Sequence, residues 1–83
     1  MNLTLPLKKE YFDAIKQGVK TLEYRSKTEF WGKRIEGKDF DKVVLTCGYP
    51  SKDDTSRRIE RPWKGYRIVS HPILGETYEI KVN

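Results

Sequence analysis

The chain has one cysteine, Cys47, and one histidine, His71, in 83 residues. A single cysteine excludes an internal disulfide, and one histidine beside it leaves no cysteine- or histidine-based zinc site. No metal and no cofactor are therefore expected. Long apolar runs are missing too: hydrophobic residues make up 36% and none of their runs could span a bilayer. The segment Met1–Pro6 lacks the basic and then apolar regions of a secretory signal. The expectation is a cytoplasmic protein with no membrane partner. No repeat or low-complexity stretch divides the chain, so residues 1–83 read as one domain near the size at which a single core is barely adequate.

What is abundant is charge. Seventeen basic residues against twelve acidic ones give a net charge of +5 and a pI near 9.4. That balance favours a polyanion without demanding one, because phosphate recognition needs clustered cations rather than a surplus.

The patterning yields a small α+β domain. Asn2–Leu5 alternates as a first strand, which Pro6 should stop. Leu7, Tyr11, Phe12 and Ile15 follow helical spacing, predicting a helix over Leu7–Gln17, and Gly18 fits the left-handed position beyond its end. Lys20–Ser26 alternates as a strand that should bury Leu22 and Tyr24 and display Thr21, Glu23 and Arg25 on the other face. Thr28–Ile35 reads as one helical turn with Phe30 and Trp31 over an open end of the core. Val43–Cys47 reads as a central strand buried on both faces, with Cys47 a small core residue. Ser51–Arg61 holds almost no apolar residue and reads as a mobile loop. Trp63–Ser70 and Thr77–Val82 complete the strands, the last with Tyr78, Ile80 and Val82 inward. Five or six short strands with one main helix cannot form two thick layers. A strongly curved or closed barrel makes best use of so small a core.

The octet Gly18-Val19-Lys20-Thr21-Leu22-Glu23-Tyr24-Arg25 sets four polar side chains on one short strand. Set between a helix end and an alternating strand, it resembles the G-x-K-x-x-E-x-R signature of the ASCH (activating signal cointegrator homology) domain, a family of the PUA-like superfamily. The stretch Trp31–Gly37, followed by Gly48-Tyr49, looks like that of small bacterial and phage members. The resemblance implies a PUA-like barrel whose cleft is lined by Lys20, Glu23 and Arg25, and an association with RNA or a nucleotide-like ligand. Some relatives are amidohydrolases on acetylated cytidine and others ribonucleases. In the amidohydrolase branch the signature lysine, matched by Lys20, works with a threonine, but Glu23 occupies that threonine's position here.

Three functions remain open on the residues. In the first, Lys20 and Arg25 present cations to a phosphate or a base edge while Glu23 holds them, since a guanidinium can bond such groups bidentately. In the second, Lys20, Thr21 and Glu23 are candidate catalytic residues of a small hydrolase, which would need a base within reach of the threonine hydroxyl. In the third, the domain is a protein-interaction module of coactivator type. The pair Glu23–Arg25 could also simply brace the strand. A second constellation, Arg57, Arg58, Trp63 and Arg67, interleaves cations with aromatics and could add phosphate contacts and a stacking surface. His71 before Pro72 could act as an acid or base, although a lone histidine at a strand end more often serves structure.

Overall fold

The most continuous β-forming run of the chain becomes the centre of one of two sheets. The computed structural model describes Met1–Asn83 as β1 (Asn2–Leu7), α1 (Lys9–Lys16), β2 (Leu22–Ser26), α2 (Glu29–Ile35), β3 (Lys42–Cys47), β4 (Arg58–Pro62), β5 (Tyr66–His71) and β6 (Gly75–Lys81). β3 lies between β1, its parallel neighbour, and β4, its antiparallel neighbour. Val43, Val44, Leu45 and Thr46 are buried, as a strand covered on both faces requires. The second sheet has the antiparallel order β2-β6-β5. The backbone ladders form two separate sheets rather than one closed ladder.

The core lies between the sheets and under α1. Leu3, Leu5 and Leu7 from β1, Phe12 and Ile15 from α1, Val43 and Leu45 from β3, and Tyr78 and Ile80 from β6 fill it with Ile35, Phe40 and Val82. The predicted inward face of β6 is present, with Tyr78, Ile80 and Val82 all at 1% exposure or less. Gly18 follows α1 with φ of +80°, the left-handed conformation expected there, and its N–H bonds back to the Ile15 carbonyl.

Four expectations need correction. Pro6 does not stop β1, because β1 is an edge strand and the Pro6 carbonyl points away from β3 to Arg25. The nitrogen and oxygen of one strand residue face the same side, so the missing N–H costs no ladder bond. Thr28–Ile35 makes a seven-residue helix rather than a single turn, capped where the Thr28 hydroxyl accepts from the Trp31 N–H at 3.3 Å. Residues 51–61 are not a structureless loop: a 3-10 turn over Thr55–Arg57 leads into β4, tied by Ser56 and Arg57 to Asp54. Last, β2 is turned over. Glu23 is 7% exposed while Leu22 and Tyr24 are half-buried, and its register sets Glu23 beside Ile80 and Arg25 beside Tyr78 on the core face.

Candidate functional site

The inverted face of β2 creates the site. A carboxylate directed into a core needs a counter-charge, and Glu23 has two. Its Oε2 lies 2.8 Å from Arg25 Nη1 and its Oε1 lies 3.5 Å from Lys20 Nζ. Arg25 in turn donates from Nη2 to the Pro6 carbonyl at 2.7 Å, so one side chain of β2 reaches the free edge of β1. Its guanidinium also sits 5.1 Å from the Trp31 ring centroid, a cation–π distance. With these contacts its position is fixed. One polar atom is left over: Arg25 Nε is buried and has no partner in the chain. An orphaned donor of this kind costs about 1–3 kcal/mol.

A cleft of about 400 Å³ opens at this junction of β1, α1, β2 and the β5–β6 hairpin. That is the size of a small-ligand pocket. Lys8, Lys20 and Arg25 bring three cations to it against the single carboxylate of Glu23. Tyr11, 46% exposed, offers its ring, with Lys20 Nζ 5.4 Å from the centroid. On the hairpin side stand Tyr24, His71 and Leu74, the first two packed edge-on at 5.4 Å. Burial, with the nearby Glu79 carboxylate adding to it, pushes the Tyr24 phenol above its ordinary range. Glu79 itself is held below its usual range by a hydrogen bond from Arg67, and burial only partly opposes this.

Lys20, Glu23 and Arg25 are therefore brought together. Thr21 is exposed and does not line the cleft. The second constellation is dispersed. Arg57 pairs with Asp54 at 3.5 Å, and Arg58 donates to the Pro50 and Ser51 carbonyls at 3.2 and 3.3 Å. Arg67 Nε bonds Glu79 at 2.6 Å on the outer face of the second sheet. Trp63 packs on the core, edge-on to Phe40 at 5.0 Å, rather than standing at a rim. None of these four lines the cleft.

Sequence reasoning missed Lys8, Tyr11, Tyr24 and Leu74 as lining residues, and it weighed His71 as an acid or base against a structural residue without placing it on the cleft. A signal existed for His71. Pro72 after it has no N–H, so the imidazole can take up the next two amides, Ile73 and Leu74, both at 3.1 Å from Nδ1.

Chemically, the cleft suits an anion. Each oxygen of Glu23 already faces a cation, and no serine, threonine or cysteine lines the cleft. No cluster of three or more metal-ligating side chains is present, and no helix is long and apolar enough to cross a membrane. Comparison with known proteins finds no family model that matches the chain, no matching curated protein and no matching solved structure.

Proposed function

We propose that this chain is an ASCH, PUA-like domain that binds a phosphate-bearing nucleotide, free or within RNA, in the cleft between β1 and β2. Three cations meeting one already neutralised carboxylate in a pocket of nucleotide size carry this reading. Arg25 is preorganised by Glu23, Pro6 and Trp31, so little order is lost when it meets an anion. Lys20 is the adjustable cation, with its side chain 23% exposed. Hydrolysis through Lys20 and Thr21 is the weaker reading, because the threonine lies off the cleft.

The test is titration of a short single-stranded RNA and of a free nucleoside monophosphate across a range of salt. Both arms should weaken with salt, the oligonucleotide more steeply. Lys20→Ala should lower affinity and reduce the log–log slope for RNA by about 0.7, the share of one phosphate contact on a single strand. Affinity indifferent to salt and to Lys20→Ala refutes the proposal. Binding confined to the free nucleotide makes the domain a small-ligand sensor, and preference for the oligonucleotide makes it an RNA binder.

A further inference from the structure

His71 is used twice by the fold, and only one use is structural. Its Nδ1 accepts hydrogen bonds from the backbone N–H groups of Ile73 and Leu74, both at 3.1 Å. Two amide donors converging on Nδ1 require a lone pair there. A neutral imidazole in that position carries its proton on Nε2. The hairpin turn thus selects the tautomer. The ring is steadied from the side by Tyr24, edge-on at 5.4 Å. Nε2 has no partner within the chain and is not among the buried atoms, so it stands open to solvent on a residue that lines the cleft. The groups around the ring are Tyr24 on β2, Leu74 on its own hairpin, and the cations Lys8, Lys20 and Arg25 elsewhere on the lining.

The cleft then has two chemically distinct parts. The cations attract a dianion. His71 supplies a neutral, oriented N–H donor next to apolar surface from Leu74, which is 43% exposed. A phosphate alone would use only the first part. We propose that His71 is a specificity-determining residue that donates from Nε2–H to an acceptor atom on the ligand's base, so that the cleft takes a nucleotide rather than a bare sugar phosphate. This rests on the nucleotide-binding reading of the same cleft and adds to it a recognised atom and a residue that recognises it.

His71→Asn isolates the role. An asparagine carbonyl can accept from the amides two and three residues on, as in an Asx turn, so the hairpin cap is kept while the imidazole donor is lost. The probes are uridine 5′-monophosphate, whose base presents carbonyl acceptors, and ribose 5-phosphate, which has no base. Wild type should bind the nucleotide more tightly. His71→Asn should weaken the nucleotide about 3- to 10-fold, the effect of one neutral hydrogen bond, and leave ribose 5-phosphate unchanged. A loss shared equally by both probes, or no loss for the nucleotide, overturns the role of His71 while leaving the anion cleft standing. Failure of the wild type to bind either probe overturns the role of His71, and failure to bind the single-stranded RNA as well overturns both readings. Long-range proton–nitrogen NMR on the wild-type protein gives a check that needs no variant. It should show the proton on Nε2 with Nδ1 bare, and an Nε2 proton that shifts on adding the nucleotide; a proton on Nδ1 refutes the inference.

Discussion

The substitution Glu23→Gln probes the centre of the site with the smallest change in shape. Glu23 is 7% exposed and its two oxygens face Arg25 at 2.8 Å and Lys20 at 3.5 Å. Removing one partner of a buried ion pair costs about 3–5 kcal/mol, because the other charge is left without compensation. Here the partners keep some water: the Arg25 and Lys20 side chains are 18% and 23% exposed. Glutamine also keeps an oxygen able to accept from Arg25. The expected loss is therefore nearer to about 2 kcal/mol. For a domain of this size that corresponds to a fall in Tm of about 8–16 °C. The companion variant is Arg25→Met, which preserves much of the length and removes the charge. Glu23 would then be a buried carboxylate with only the longer Lys20 contact, and Glu23→Gln in that background should be neutral or stabilising. Thermal and denaturant unfolding of the four proteins in this cycle measures the coupling. Equal losses in the two backgrounds, or a loss below about 0.5 kcal/mol in wild type, would mean that the pair is a surface contact of the ordinary weak kind, and the account of β2 would fall.

Three further outcomes follow from neighbouring contacts. Gly32→Ala should destabilise: although alanine gains about 1 kcal/mol in a helix, its Cβ would stand 3.2 Å from the Tyr78 hydroxyl, which donates to Glu36 and belongs to a fully buried ring. In a Tyr78→Phe background the same change should become stabilising, and denaturant unfolding reads the reversal. Burial, and after it the Glu36 hydrogen bond, pushes the Tyr78 phenol up to about 12, so its stabilising effect is complete below pH 10 and is lost as pH rises from 10 through 12. Absorbance titration should show a late phenolate step that is missing in Tyr78→Phe. Asn83→Ala removes donations from Nδ2 to the Ile15 and Lys20 carbonyls at 2.8 and 2.7 Å, and an acceptor for Arg61 at 2.9 Å. At about 1 kcal/mol per net hydrogen bond it should cost about 2–3 kcal/mol and speed amide exchange at Val19 and Lys20.

The elements legible in the sequence are those whose side chains carry the message. Val43–Cys47 is apolar because it is covered on both faces, and the alternation of Tyr78, Ile80 and Val82 reports one buried face. β4 was illegible for the opposite reason. Arg58–Pro62 is an edge strand with Ile59 as its lone aliphatic residue, held by backbone pairing to β3, and backbone bonds leave no trace in side-chain pattern. The side-chain pattern alone gives β2 the opposite orientation, because in this strand polarity does not mean exposure. Leu22 and Tyr24 look like an inward face, yet the Pro6 carbonyl on the open edge of β1 needs a donor, and a long guanidinium from inside meets that need. Its Glu23 partner then has to be inside as well. The site residues were thus visible as a motif, while the cleft was not. Tyr11 looks like a core residue in the helical pattern, and Lys8 has no pattern at all.

The seam between β1 and β2 also explains why binding and stability should be linked at one residue and not at its neighbour. The free edge of β1 carries unpaired backbone groups, which invite association with other chains unless something blunts them. Arg25 does this by bonding Pro6 across the gap, and the same guanidinium lines the cleft. An anion bound there adds order to the group that joins the sheets, and ligand at 100 times its Kd should raise stability by about 2.7 kcal/mol. Lys20 lines the same cleft without bridging the sheets, so Lys20→Ala can remove affinity while the fold stays intact. Arg25→Ala should remove both together. An anion cleft built on a structural seam predicts that asymmetry, whereas a brace with no ligand predicts that neither variant changes what the protein binds.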